Sequence, residues 1–153
     1  MTPDAAIATL ARRRADAEVA LLAAVAPNHA SGINVARSVG VTHHAFAADD
    51  TRWLWLALEE ARLWPRPRAA WACAAALRQT GHWGRAAGPN FGPLWHEAGL
   101  LRLFTGRYDG RLVRVRAAEV LELSRRSRLA EWHARRAIEV ASGVEEEDER
   151  KAG

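Results

Sequence analysis

The apolar residues of this chain recur mostly at helical spacing, three and four positions apart. At the N-terminus Thr2 can cap a helix with Pro3 at its first position, and Pro27 ends the apolar pattern that follows. The predicted helices run from Pro3 to Pro27, around Ile33 to Val39, from Asp49 or Asp50 to about Trp64, from Pro67 to Gly81, from Pro93 through Phe104, and from about Arg111 to Ala141. Gly40 is placed to end the second of these in a left-handed cap, and either aspartate can serve as N-cap of the third.

Strand patterns are scarce. The segment RLVRV at 111–115 alternates briefly, but it runs directly into a strongly helix-forming stretch, and GRAAGPNFGP at 84–93 is typical of a connector. We therefore expect an all-α fold, with a compact helical bundle over residues 1–110 and a long C-terminal helix over 111–142. The acidic tail over 143–153 is expected to be disordered.

Three tryptophans fall in the stretch TRWLWLALEEARLW, residues 51–64. At roughly 100° per residue, Trp53 and Trp55 lie about 200° apart, so one helix face cannot bury both. A helix that is apolar around most of its circumference is either deep in the domain or shared with a partner. The neighbouring Glu59 and Glu60 disfavour a role in stacking on nucleic-acid bases.

The apolar stripe of the last helix drifts around its axis. Val113 and Val120 stay on one side, whereas Leu129 and Trp132 lie about 100–160° away from Val113. We therefore expect the second half of this helix to pack elsewhere than the first half, either on another subunit or on the chain's own body. The candidates for a protein interface are Trp53, Trp55, Leu56, Leu63, Trp64, Leu129 and Trp132.

Residues for catalysis do not form a recognisable arrangement. The phosphate-binding loop of an ATPase needs a lysine after its glycines, and the only lysine is Lys151 in the tail. His43 and His44 are adjacent, so their rings are expected to diverge, and the other histidines are scattered. We expect a protein that is not an enzyme, with no cofactor and no bound metal.

The formal charge of +4 is unevenly distributed along the chain. Five acids and two bases between Glu145 and Lys151 give −3, so the remainder carries +7. A basic helix can lie along phosphates, which makes a small DNA-binding protein the alternative function. Glutamates are interspersed along the same helix and would neutralise part of its charge. The nucleic-acid candidates are Arg125, Arg126, Arg128 and Arg135.

The single cysteine, Cys73, excludes a disulfide within one chain and favours a reducing compartment. Asp16 and Glu18 interrupt the N-terminal apolar run, which is better interpreted as an amphipathic helix than as a signal sequence. No stretch approaches the ~18 apolar residues that a membrane span requires. We expect a cytoplasmic protein without a membrane partner.

Five segments, in order along the chain, carry a family resemblance. EVALLAAV begins with an acidic residue and continues as a leucine-rich helix, and HHAFAADDTRWLWLALEEA combines a phenylalanine, a polar turn, an arginine and a large-apolar helix. ALRQTGHW, GPNFGPLW and AAEVLELSRRSRL follow. The matching positions are Phe46, Arg52, Leu77, Gly81, Trp83, Gly88, Phe91, Leu94, Ala117, Val120, Arg128 and Leu129. Together they resemble the N-terminal domain of hexameric, DnaB-type replicative DNA helicases, over roughly residues 16 to 141.

The resemblance implies a helical domain that serves assembly rather than catalysis. Members of that family pack against copies of themselves and contact primase or loader proteins, and the region 117–141 would be half of a helical hairpin through which they pair. Thr51 stands where a histidine is usual, and both the ATPase domain and the hairpin's second helix are missing from these 153 residues. We expect a DNA-replication module that forms a homo-oligomer or binds a helicase, a primase or a loader.

Overall fold

The structure, a computed structural model, describes residues 2–88 and 91–152, apart from the side chains at 88, 91–94, 144–149, 151 and 152. The helices in this part are α1 Pro3–Val25, α2 His29–Val39, α3 Asp49–Glu60, α4 Arg66–Gln79, α5 Glu97–Thr105 and α6 Gly110–Ala152, with 3-10 turns at Ala26–Asn28 and His43–Ala45. The strands β1 Ala86–Gly88 and β2 Phe91–Leu94 form an antiparallel hairpin. The fold is all-α with a long C-terminal helix, which confirms the sequence prediction.

Individual residues at the helix ends determine where α1 begins and where α2 ends. The Oγ1 atom of Thr2 accepts a hydrogen bond from the Ala5 amide at 3.1 Å, with Pro3 at the first helical position. Gly40 ends α2 at a φ of 117°. Where α2 leaves α1, Gly32 faces Val25, and a Cβ at this glycine would lie 2.8 Å from the Val25 backbone. Only glycine allows the two segments to pass this closely.

Helices α1 and α6 form an antiparallel pair at the centre of the fold. Arg14 in the middle of α1 contacts Ser124, and Pro3 at its start shares a groove with Ala137 further along α6. The face of α6 that is buried against the body consists of Val113, Ala117, Val120, Leu123, Ser124 and Ser127. The buried positions therefore become polar as α6 advances, although they continue along one side of the helix.

Aromatic side chains fill the core beside this pair. Trp55 is fully buried, with its ring centroid 5.3 Å from that of Phe46. Trp95 follows the hairpin and is also buried, and its indole Nε1 donates to the Asp50 carboxylate at 2.7 Å. This bond ties the start of α3 to the chain beyond β2.

The connector at 84–93 differs from its prediction because it includes β1 and the first part of β2. Helix α5 accordingly begins at Glu97 rather than at Pro93, and its cap is His96, whose Nδ1 accepts from the Gly99 amide at 3.0 Å. Helix α3 ends at Glu60, so Trp64 lies in the following turn. The residue before a proline is disfavoured in helical conformation, which explains why Trp64, before Pro65, lies outside the helix.

The prediction of a disordered tail needs correction for residues 143–152, which the structure places in α6. Glu, Arg, Lys and Ala are strong helix formers, and they make up most of this segment. The single Gly143 weakens a helix by only about 1 kcal/mol, which does not end it. Residue 153 lies outside the described part of the chain.

Within the described part of the chain, one helical run is long and apolar enough, by length and composition alone, to cross a membrane. It spans Pro3–Val39, with a mean hydropathy of 1.2 in its most apolar window, and 61% of that window is buried inside the fold. This corrects the expectation that no stretch approaches the necessary length. Core helices of soluble proteins and signal sequences pass the same test, so the finding is weak evidence for a membrane.

Candidate functional site

The second half of α6 carries large apolar side chains on the face that points away from α1. At roughly 100° per residue, Leu129, Trp132 and Val140 fall within about 80° of one another and about 150° from the stripe buried against the body. Their exposed fractions are 47%, 54% and 54%. We call these three residues the outward face. The structure therefore leaves the sequence-predicted Leu129 and Trp132 in solvent rather than packed on the chain's own body.

Arginines close to the outward face already have partners within the chain. Arg125 and Arg126 both donate to Glu122, at 2.8 and 3.0 Å. Hydrogen bonds from Arg125 and then Arg126 lower the pKa of Glu122 to about 2, so this carboxylate stays ionised. Arg128 donates to the backbone carbonyl of His44 at 3.2 Å. Three of the four nucleic-acid candidates thus already make hydrogen bonds within the chain, which leaves fewer of their donors for a nucleic acid.

Further along α6, the fourth candidate, Arg135, is exposed. Its neighbour Arg136 lies 3.5 Å from Glu139, and both side chains are largely in solvent. Exposed pairs of this kind are worth little energetically, yet they reduce the positive charge available to a phosphate backbone. The helix therefore presents a mixed rather than a uniformly basic surface.

The two tryptophans of α3 lie in different environments, as their angular separation on the helix requires. Trp55 is fully buried, so it is wrong as an interface candidate, whereas Trp53 is 46% exposed. Leu54 and Leu58 share the buried side of the helix. The 200° separation determines that the two rings have different environments, and packing on Phe46 selects the inner one.

The remaining interface candidates in and just after α3 differ in how far their side chains are exposed. Leu56 is half-buried, and Leu63 is 83% exposed in the turn after the helix. Trp64 is half-buried, with the Arg68 guanidinium 4.3 Å from its ring centroid. A cation over an indole face is a favourable contact that leaves less of the ring for a partner.

A buried carboxylate that the sequence analysis missed organises the start of α3. Glu18 is fully buried on α1, and its Oε1 accepts from the amides of Ala47 and Ala48, at 2.9 and 3.2 Å, and from the Thr51 hydroxyl at 2.7 Å. Ala48 is the N-cap residue and has no capping side chain. Glu18 therefore caps the N-terminal end of α3 from a different helix, where its negative charge also suits the helix dipole.

This corrects the prediction that Asp49 or Asp50 caps α3. Asp49 instead pairs with Arg52 one turn later, and Asp50 accepts from the Thr51 amide and from the Trp95 indole, at 2.8 and 2.7 Å. Both aspartates lie in the first turn of the helix rather than before it. A sequence pattern cannot show that a more distant carboxylate already occupies the cap.

Arg14 completes the buried cluster, one helical turn before Glu18. Its Nη2 donates to the Ala45 carbonyl and to the Ser124 hydroxyl, both at 3.1 Å, so it links α1 to the turn before α3 and to α6. Its Nε lies 3.7 Å from Glu18 Oε2, and neither of these two atoms has a hydrogen-bond partner among the described residues. Burial raises the pKa of Glu18 above its ordinary value, against the lowering effects of Thr51, Ala48 and Arg14.

His43 and His44 differ from the sequence prediction, and His29 has a structural role that the sequence did not indicate. The rings of His43 and His44 lie close together, with centroids 3.9 Å apart, because a 3-10 turn replaces the helix or strand that would separate them. His29 is buried, and its Nε2 lies 3.0 and 2.9 Å from the carbonyls of Ala61 and Trp64. Since carbonyls only accept, Nε2 carries a proton and binds the end of α3.

One sequence signal could have located the buried cluster. Glu18 lies among Leu21, Leu22 and Val25 on the apolar side of α1, with Arg14 four residues earlier. A carboxylate at such a position must find donors or be protonated. Among the described residues, no group of three or more His, Cys, Asp and Glu side chains is placed to hold a metal ion.

Comparison of the chain with protein-family models, with curated proteins and with solved structures finds no match. The family resemblance therefore depends on the quoted sequence segments alone.

Proposed function

We propose that this chain is a non-enzymatic assembly module, in which the outward face of α6 pairs with α6 of a second copy. The observation that carries the proposal is the large exposed apolar surface at Leu129, Trp132 and Val140 on the side of α6 that its own body does not use. Aromatic residues of this kind are enriched at protein interfaces, and a patch of apolar side chains along a helix favours a helical partner.

The length of α6 suits such a pairing. Pro3 at the start of α1 lies level with Ala137, so about 15 residues of α6, or roughly 20 Å, extend beyond that point. Ile138 lies on the α1 side of the helix but is 66% exposed, because it follows this level. Val140 of the outward face also lies beyond this level, so a second helix that runs along the outward face meets a stretch of α6 that extends past the start of α1.

Charge supports an antiparallel arrangement of the two copies. The sequence of α6 is rich in arginine from Arg125 to Arg136 and acidic from 145 to 149. Antiparallel pairing centred on Arg136 would place each acidic segment beside the arginine-rich segment of the other copy, and Trp132 level with Val140. Opposite charges at both ends would then fix register and orientation.

The resemblance to the helicase N-terminal domain extends the proposal to DNA replication. Glu18 begins the first resembling segment and Thr51 lies in the second, and these two residues are hydrogen-bonded at 2.7 Å. Thr51 itself stands where the family usually has a histidine, but the two segments that resemble the family are in contact through this bond. On this basis the further partner of the assembled module is a replicative helicase, a primase or a loader.

The self-assembly part is tested by sedimentation velocity of the full chain across the micromolar range, comparing Trp132→Ala with Trp71→Ala. Trp71 on α4 is 67% exposed and serves as a matched control outside the outward face. We expect a wild-type dimer whose dissociation constant rises about 30-fold or more in Trp132→Ala, as for an interface hot spot. Trp71→Ala should dimerise like the wild type, and neither variant should lose much stability.

A wild-type chain that stays monomeric across this range would refute the pairing of two copies, and a stronger effect of Trp71→Ala would refute its location. The replication part is tested separately, by titrating the purified chain against replicative helicase, primase and loader from the same cell. Failure to bind any of the three would refute that assignment while leaving self-assembly in place.

DNA binding remains the second candidate function, because the body of the chain carries +7 outside its acidic tail. The ion pairs of Arg125 and Arg126 with Glu122 weigh against a phosphate-binding helix. Binding of a short duplex whose log affinity falls steeply with log salt would favour DNA over assembly as the role of α6. Substitution of Arg135 should then reduce the slope by about one phosphate contact.

A further inference from the structure

A recess lies between α6 and the segment that joins α2 to the 3-10 turn at His43–Ala45. It has a volume of about 320 Å³. Arg125 and Arg128 line the wall that α6 provides, and Thr42 and His44 line the opposite wall. No Asp or Glu of the described residues is among those that line it. The recess therefore suits an anion rather than a cation.

The charge on this part of α6 is positive. Three arginines stand against one glutamate between residues 121 and 128, which leaves a net charge of +2. The glutamate, Glu122, lies about 100° around the helix from Leu121 in the recess, so it pairs with its arginines from the side. The side chains of Arg125 and Arg128 are exposed, so a dissolved ligand can reach their guanidinium groups.

Hydrogen bonds within the chain hold both of these guanidinium groups. Nε and Nη2 of Arg125 donate to Glu122 at 3.1 and 2.8 Å, which leaves Nη1 without a partner among the described residues. Nη2 of Arg128 donates to the His44 carbonyl at 3.2 Å, which leaves its Nε and Nη1 in the same condition. Because the two groups are already restrained, a ligand that accepts from their remaining N–H groups has less side-chain entropy to overcome.

The opposite wall supplies further donors. Thr42 is the N-cap residue of the 3-10 turn, but its hydroxyl makes no capping hydrogen bond, and both Thr42 and His44 are exposed. A hydroxyl and an imidazole N–H can each donate one hydrogen bond. Donors from two guanidinium groups, a hydroxyl and a ring thus surround one space. A phosphate group, with three terminal oxygens, can use more of them than a carboxylate with two.

The recess is larger than a phosphate group needs. Its volume is about ten times the ~30 Å³ share of one water molecule. Leu121 and Ala45 add apolar wall to the arginine and hydroxyl groups. This mixture of surfaces fits a phosphate that carries a small, partly apolar body.

We propose that this recess binds the phosphate group of a small phosphorylated compound. The phosphate accepts from the two arginines of α6 and from Thr42 and His44, and the body of the compound packs on Leu121 and Ala45. One phosphate is sufficient here, whereas a DNA surface needs a row of phosphate contacts. The site lies outside the outward face, so it does not rest on the proposed pairing of two copies.

The test is an NMR titration of the full chain, in about 0.15 M salt, with phenyl phosphate, inorganic phosphate and benzoate. We expect saturable binding of phenyl phosphate that shifts the amide signals of Thr42, His44 and Arg128. Inorganic phosphate should shift the same signals but bind more weakly, because it lacks the body. Benzoate should bind about tenfold more weakly than phenyl phosphate, because it offers fewer charged acceptors.

Three variants locate the site on the surface of α6. Arg128→Gln should weaken phenyl phosphate binding about tenfold or more, and Arg128→Lys, which keeps the charge but not the fork of donors, should weaken it severalfold. Arg135→Gln is the matched control, because it removes the same charge from an exposed position about 10 Å further along α6. It should change the affinity less than twofold.

A further titration separates this site from the pairing of two copies, which would bring the acidic segment of a second copy beside the same arginines. Trp132→Ala, which is expected to remain monomeric, should bind phenyl phosphate at least as tightly as the wild type does. Weaker binding by Trp132→Ala, equal losses in Arg128→Gln and Arg135→Gln, or no saturable binding of phenyl phosphate would each overturn the proposal. Binding of a short DNA duplex without binding of phenyl phosphate would assign these arginines to DNA instead.

Discussion

Replacing Glu18 should reveal how strongly a single buried carboxylate holds three parts of the fold together. In Glu18→Ala the amides of Ala47 and Ala48 and the hydroxyl of Thr51 lose their common acceptor, and Arg14 loses its counter-charge. Leaving one member of a buried ion pair alone typically costs about 3–5 kcal/mol. We expect Glu18→Ala to reduce the free energy of unfolding by about this amount.

Two milder variants separate the parts of this effect. Thr51→Val keeps the shape of its side chain but removes one donor to Oε1, so it should cost about 1 kcal/mol. Glu18→Gln can keep an oxygen at the position of Oε1, so it should cost less than Glu18→Ala. Urea unfolding, followed by far-UV circular dichroism because the chain is mostly helical, measures all three.

The comparison of wild type with Glu18→Gln should also depend on pH. Burial raises the pKa of Glu18 above its ordinary value of 4.5, so the folded state holds this proton more tightly than the unfolded state does. The contribution of the carboxyl to stability is therefore fully present below the unfolded pKa and is lost as the pH rises through the folded pKa. The advantage of wild type over Glu18→Gln should fall with rising pH and then level off.

Carboxylates other than Glu18 titrate in both proteins, so their effects cancel in the difference between the two free energies of unfolding. A difference that stays constant from about pH 4 to pH 8, or that grows with pH, would contradict desolvation as the dominant influence on Glu18. A cost of Glu18→Ala below about 1 kcal/mol would contradict the role of this residue as the cap of α3.

Other predictions follow from single positions. Gly32→Ala should lower the free energy of unfolding by about 1–3 kcal/mol, because the added Cβ would lie 2.8 Å from the Val25 backbone. Gly143→Ala should raise it by about 0.5–1 kcal/mol, because a Cβ there would meet no described atom within 4 Å and alanine favours a helix. Urea titrations that rank the two variants in reverse would contradict the packing at the α1–α2 corner. Burial raises the pKa of Cys73 to about 12, so its thiol should react with a disulfide reagent at neutral pH only after denaturation, and rapid reaction of the native chain would show that this side of α4 opens to solvent.

Signals that act over a few residues could be interpreted from the sequence alone. Thr2 and Pro3 begin α1, and Gly40 ends α2, because capping and φ preferences depend only on neighbouring residues. The angle between Trp53 and Trp55 is likewise a property of any α-helix, so the sequence required different environments for them. The helical spacing of apolar residues was sufficient to predict the all-α fold.

Tertiary structure decided everything that depends on residues far apart in the chain. It placed Trp55 rather than Trp53 in the core, and it supplied the cap of α3 from Glu18, about 30 residues earlier, although two aspartates stood closer. It also brought Arg14 to Ser124, which are 110 positions apart. Burial and hydrogen-bond satisfaction are properties of the whole packed chain, so no local pattern determines which apolar face remains exposed or which carboxylate is enclosed.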